Sequence, residues 1–142
     1  MISGPIVMDT NILVAGLKSN KGFSFRLLER VLAKEVPIAI STPLILEYEA
    51  TLKNLLVPNP LGGNEVDILL DYICSIGIQA KIYYLWRPFL KDAYDDHILE
   101  LAVAAGATYI VTFNTKDFQG IGKFGLKTIY PKNLLDILGD KK

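Results

Sequence analysis

Short strand-like runs alternate with stretches of helical periodicity along this chain. The runs Ile6–Met8, Ile38–Ile40, Ile78–Leu85, Tyr109–Thr112 and Lys127–Tyr130 read as strands. Asn11–Leu17 reads as a short helix after the first strand. Phe23–Val36 places Phe25, Leu28, Leu32 and Val36 on one side, with Arg26, Glu29, Arg30 and Lys34 elsewhere, and Pro37 ends it. Ser41-Thr42-Pro43 marks a helix start, with Thr42 as N-cap and Pro43 at the first helical position, running to about Val57. After the Pro58–Gly63 loop, Asn64 caps a further helix that Gly77 closes. Asp95–Ala105 forms a helix ended by Gly106, and Pro131 opens a last one through Leu138. Strands and helices alternating over short connections specify an α/β fold, a single domain over residues 1–142. Its sheet is open and mainly parallel, with helices on both faces.

Composition narrows the chemistry. The hydrophobic share of 51% and mean hydropathy of +0.31 fit buried strands in a chain of 142 residues. Cys74 and His97 are the single residues of their kinds. No disulfide can form within the chain, and a zinc site of Cys and His ligands is excluded. Any metal must be held by oxygen, which points to Mg²⁺ or Mn²⁺. The apolar N-terminal stretch lacks a basic region ahead of it and is broken by Asp9, so it does not read as a signal peptide. No apolar run approaches a membrane span, so a soluble cytoplasmic protein with no membrane partner is expected. The net charge of zero argues against a non-specific nucleic-acid coat protein. It does not argue against a nuclease. With three of the 15 acids committed to one site, 15 basic residues would face 12 acids elsewhere.

The acids fall where such a fold has its ligand crevice, beyond the carboxyl ends of the strands. Asp9 ends the first strand, and Glu47 lies on the helix after the second. Asp92, Asp95 and Asp96 gather before the helix that leads into Tyr109–Thr112, and Asn114 and Asp117 follow that strand. Each has an ordinary reading. Asp9 or Thr10 can cap a helix, Glu47 can be solvated, and Asp95 or Asp96 can favour a helix dipole. Acids converging on one sheet edge nevertheless repel unless neutralised, which favours a bound divalent cation.

These residues carry a family resemblance. Val7-Met8-Asp9-Thr10-Asn11-Ile12-Leu13 resembles the opening motif of PIN-domain nucleases. Ser41-Thr42-Pro43 with Leu46-Glu47-Tyr48 resembles the second acidic motif. Asp95-Asp96-His97-Ile98-Leu99, then Ala102, Gly106-Ala107 and Ile110-Val111-Thr112, is similar to the third, and Asn114-Thr115-Lys116-Asp117-Phe118 to the last. The four occur in family order, and their look is that of the PIN toxins of prokaryotic type II toxin–antitoxin modules, including VapC-like toxins.

The resemblance implies a PIN-like fold and a metal-dependent endoribonuclease that leaves a 5′-phosphate and a 3′-hydroxyl. Asp9, Glu47 and Asp96 match the three acidic positions, Asp96 being chosen over Asp95 by its spacing to Thr112-Phe113-Asn114. Many members have an acid where this chain has Asn114, so either Asn114 or Asp117 would be the fourth metal ligand. Asp92, Asp95, Thr10, Asn11 and Thr112 are secondary candidates. RNA is the implied substrate, a cognate antitoxin the implied protein partner, and a homodimer the implied assembly. Crowding of Tyr83, Tyr84, Trp86 and Phe89 also points to an association surface. Lys18, Lys21, Arg26, Arg87, Lys91 and Lys116 are candidate phosphate contacts, although surface lysines cannot be told from phosphate contacts by type. His97 reads as a helix-surface residue and Cys74 as core. The alternative function is a non-catalytic magnesium- or RNA-binding or regulatory module on the same fold. A phospho-acceptor domain lacks its acidic doublet here, and a dinucleotide-binding domain its glycine-rich turn.

Overall fold

Consecutive strand residues point to opposite faces of a sheet, so a strand buried at every position must be covered on both sides. Ile6, Val7 and Met8 are all fully buried, as are Ile110 and Val111. A computed structural model describes residues 2, 4–55, 62–82, 89, 90, 92 and 95–139, and the side chains of 55 and 62–64 fall outside that description too. Strand β1 (Val7–Met8) pairs in parallel with β4 (Tyr109–Val111), Val7 opposite Ile110 and Met8 opposite Val111. β4 pairs in parallel with β5 (Lys127–Ile129). β2 (Ala39–Ile40) pairs in parallel with β3 (Ile78–Gln79). A parallel bridge from Ile6 to Ile38 joins the two groups in the order β3-β2-β1-β4-β5. The chain steps outward from β1 in one direction, then returns to its other side at β4. Such a switch point opens a crevice at the strands' carboxyl ends.

The expected α/β architecture is thus present, with six α-helices among the described residues. α1 spans Thr10–Lys18, α2 Phe23–Leu32, α3 Thr42–Leu55, α4 Gly62–Ile76, α5 Asp96–Ala105 and α6 Pro131–Leu138. α5 packs against β1, β2 and β4, and α3 against α1, α4 and α5.

Several boundaries differ from the sequence expectation. α2 ends at Leu32, not Val36, because Lys34 turns left-handed (φ 66°) and the Glu35 N–H bonds back to the Arg30 carbonyl at 2.9 Å. Its buried face is Ser24, Leu27, Leu28 and Val31, whereas Phe25 and Leu32 are half-buried. α3 is capped by Ser41, whose Oγ accepts the Leu44 N–H at 3.3 Å, one residue before the expected Thr42. α4 begins at Gly62, two residues before Asn64. The third strand is Ile78–Gln79 within the described residues, and Tyr83 and Tyr84 lie outside them, as do Trp86, Arg87 and Lys91. Gly77 is needed where α4 meets β3, since a Cβ there would lie 2.8 Å from Ile40 Cδ1. The segment between β4 and β5 holds two 3₁₀ turns, Thr115–Phe118 and Ile121–Phe124. Cys74 is half-buried against the core.

Candidate functional site

Asp9 leaves β1 with extended backbone and caps α1, its Oδ1 accepting the Thr10 N–H at 2.8 Å. Capping and a site role are therefore not exclusive here. Its other oxygen, Oδ2, accepts the Thr112 hydroxyl at 2.7 Å, and Thr112 Oγ1 in turn accepts the Asn114 N–H at 3.0 Å. This chain of bonds ties the ends of β1 and β4 together. Burial pushes the Asp9 carboxyl above the usual carboxylate range, with the Glu47 charge adding to it and the Thr112 and Thr10 bonds opposing it.

Glu47 stands in the second turn of α3. Its Oε2 accepts the Thr10 hydroxyl and its Oε1 lies 2.9 Å from His97 Nε2 on α5. The His97 bond, then the Thr10 bond, hold the Glu47 carboxyl below its ordinary range against the opposing effect of burial. The next residue anchors this turn. Tyr48 is fully buried and its hydroxyl donates to the Met8 carbonyl at 2.6 Å, so α3 is pinned to the strand that delivers Asp9. Burial, followed by the Asp9 and Glu47 charges, drives the Tyr48 hydroxyl well above its ordinary value.

One cavity of about 1020 Å³ gathers Asp9, Glu47, Asp92, Asp95 and Asp117, with Thr10, Asn11 and Asn114 beside them. Local geometry explains two of the pairs. The Asp95 N–H bonds to the Asp92 carbonyl at 2.9 Å, and the Asp117 N–H to the Asn114 carbonyl at 3.0 Å. In the second pair, a 3₁₀ turn sets Asn114 and Asp117 on one side. Burial pushes the Asp95 carboxyl up to about 7, helped by the charges of Asp9, Asp92, Asp117 and Glu47.

Asp96, matched to the third acidic position by the resemblance, is placed differently from Asp9 and Glu47. It is fully buried and is not among the residues lining the cavity. Its Oδ1 accepts the Leu90 N–H at 2.9 Å, and both oxygens lie 3.4 Å from the Phe89 nitrogen. The Asp96 carboxylate thus satisfies backbone donors of Phe89 and Leu90. Asp95, a secondary candidate from the sequence, lines the cavity. His97, expected from the sequence on the helix surface, lines the cavity and bonds Glu47. Periodicity could not separate these neighbours, because Ile98, Leu99, Leu101 and Ala102 make α5 buried over most of its circumference. Thr112 supports Asp9 from beneath, fully buried. Of the candidate phosphate contacts, Lys18 lines the cavity, whereas Lys21, Arg26 and Lys116 do not.

Two buried polar atoms of cavity residues, Asn11 Oδ1 and His97 Nδ1, have no hydrogen-bond partner among the described residues. Among the described residues, no three His, Cys, Asp or Glu side chains stand close enough to enclose a metal ion. A family model of the PIN domain matches residues 5–116. The chain belongs to the PIN-domain family. PIN domains are typically nucleases, so a nucleic-acid hydrolase is the general activity that membership supports. The match contains Asp9, Glu47, Asp92, Asp95 and Asn114 and stops one residue short of Asp117. Membership sets aside the phospho-acceptor and dinucleotide-binding readings. No curated protein matches the chain. No helix of this PIN domain is long and apolar enough, among the described residues, to cross a membrane.

Proposed function

We propose that this PIN domain is a divalent-metal-dependent endoribonuclease that works through Asp9, Glu47 and Asp95, with Asp117 or Asn114 completing the set. One observation carries the reading: among the described residues, five carboxylates and one lysine, Lys18, line the same cavity at the sheet's switch point. Such an excess of acid is unfavourable alone and fits a cation. The donors are oxygens, the set Mg²⁺ or Mn²⁺ prefers, and the unpartnered Asn11 Oδ1 adds a neutral acceptor. A bound ion would supply an activated water and charge neutralisation at the phosphate.

The chain's own residues do the rest. Thr112 and the Thr10 N–H hold Asp9, and Thr10 and His97 hold Glu47, so both carboxylates are oriented before substrate arrives. Orientation in advance is what makes charged groups effective in such a site. In the hydrolysis a water oxygen bonds to phosphorus, the bond from phosphorus to O3′ breaks, and O3′ takes up a proton. The products are a 5′-phosphate and a 3′-hydroxyl.

We further read the protein as the cytoplasmic toxin of a toxin–antitoxin pair and as a two-fold dimer. The support is the sequence likeness to PIN toxins and the exposed apolar side chains Leu46 and Ile68, at 56% and 65% exposure. The decisive experiment incubates the full chain with a mixed RNA pool in Mn²⁺ and in chelator. Cleavage in Mn²⁺, absent in chelator and in Asp95→Asn, is expected. Equal cleavage by wild type and variant would exclude this site as its source. Binding of RNA or Mn²⁺ with no cleavage would favour a non-catalytic module. Light scattering and a search of the neighbouring reading frame test the dimer and the antitoxin.

A further inference from the structure

A second cavity of about 290 Å³ adjoins the acid-lined one, and the two share Ala15 and Phe113. Three aromatic side chains in its wall keep large exposed areas: Phe23 at 41%, Phe113 at 44% and Tyr130 at 45%. Among the described residues, Phe23 and Phe113 are the exposed phenylalanines. They arrive from separate elements. Phe23 opens α2, Phe113 follows β4, and Tyr130 lies between β5 and α6. Because Val111 pairs with Ile129, Phe113 and Tyr130 leave neighbouring strands at the sheet edge where Asp9 stands.

Charge divides the joined cavities. Among the described residues, five acids and Lys18 line the first, whereas Lys132 is the charged residue lining the second. Lys132 lines it, with its ammonium 6.0 Å from the Phe23 ring centre, and the Arg26 guanidinium lies 4.8 Å over the same ring. A protein side chain would need only the apolar wall. Flat rings beside cations, continuous with a site suited to a phosphodiester, match a nucleotide better.

We propose that the Phe23–Phe113–Tyr130 cavity is a base-binding subsite that takes an unstacked nucleobase of a single-stranded nucleic acid whose neighbouring phosphate lies at the acid cluster. The strand's path rests on the nuclease reading above; the stacking itself does not. A duplex keeps its bases paired and offers no free ring face to this wall. Stacking accepts either sugar, so RNA and DNA strands share the chemistry.

The test titrates the full chain, in EDTA to prevent cleavage, with fluorescein-labelled ten-nucleotide oligo(A) and oligo(U), as RNA and as DNA, and with a duplex. Tyr130→Ala is the discriminating variant, because Tyr130 lies outside the acid cavity. It should weaken single-strand binding about five- to hundredfold, the range for loss of one base–aromatic stack. Tyr130→Phe should restore it, and Lys132→Ala should flatten the salt dependence by about 0.7 in log–log slope. Equal affinity in Tyr130→Ala and wild type, both folded by urea titration, overturns the subsite. Duplex bound as tightly as single strand overturns it too, as does a Tyr130→Ala protein that changes oligomeric mass in place of affinity. RNA bound more tightly than DNA with the same Tyr130 dependence supports the subsite and assigns the ribose as a further contact. Stacking-dependent binding without cleavage by wild type keeps the subsite and removes the nuclease reading. Wild-type cleavage with unchanged binding in Tyr130→Ala does the reverse.

Discussion

Asp95 and Asp96 are adjacent in the chain and opposite in placement: Asp95 lines a cavity with four other acids, while Asp96 is fully buried and accepts the Leu90 N–H at 2.9 Å. The two can be separated by substitution. Asp95→Asn is expected to lose RNA cleavage and to weaken Mn²⁺ binding in calorimetry, with no loss of stability in the absence of metal. Asp96→Ala leaves buried backbone N–H groups without an acceptor and should cost about 1–3 kcal/mol in urea unfolding. A destabilised Asp95→Asn beside an unaffected Asp96→Ala would reverse these assignments.

The metal-free protein should lose stability as pH rises from 4 to 8. Asp95 has an ordinary value of 3.8 and is pushed up to about 7 in the fold, so between those values the folded state holds a proton that the unfolded state has released. Unfolding free energy then falls with rising pH across that window, and Asp9, also raised, acts in the same direction. Glu47 is lowered and has the opposite sign, contributing stability above its ordinary 4.5 that disappears as pH falls through its folded value. Urea titrations in EDTA at pH 5, 6, 7 and 8 measure the slope, and Asp95→Asn should flatten it. A slope that is zero or rising in wild type contradicts the crowding of acids.

His97 acts on Glu47, not on the surface expected of it. Its loss in His97→Ala removes one bond to a carboxylate, worth about 1.5 kcal/mol and therefore roughly tenfold in cleavage rate. His97→Gln, which can still donate, should recover most of that loss. If both variants cleave as wild type does, Glu47 needs no support from α5.

Tyr48→Phe tests the anchor beneath the site. The hydroxyl bond to the Met8 carbonyl is fully buried, and its removal should cost about 1–2 kcal/mol in thermal or urea unfolding. Cleavage should fall as well, since the bond holds α3, and with it Glu47, against the strand that ends in Asp9. Unchanged stability would mean that the Met8 carbonyl finds another donor.

Phe89 is half-buried and packs edge-to-face on Phe124 with ring centres 5.3 Å apart, and the Lys123 ammonium lies 4.5 Å over it. It is therefore not an unclaimed surface ring. A dimer measured by light scattering should survive Phe89→Leu, whereas a monomer in that variant would return the residue to an interface.

The sequence alone determined the alternation of strands and helices, the parallel sheet, Asp9 at the end of β1 and Glu47 in the second turn of α3. These follow from short-range rules: apolar period, turn residues, and the position of a residue along its own element. Short-range rules did not decide which of two neighbouring aspartates enters the cavity. That depends on the N–H groups of Phe89 and Leu90, brought beneath α5 by the fold, which need an acceptor and take Asp96. Nor could they decide that His97 meets Glu47, 50 residues away, or that Phe23, Phe113 and Tyr130 share one wall. The buried face of α2 differs from the expected one for a related reason. Both Phe25 and Leu27 are apolar, and only the packing of α2 against α1 and α6 settles which of them is buried. Hydrogen-bond demand and packing are properties of what the fold brings together, and they fixed what periodicity had left open.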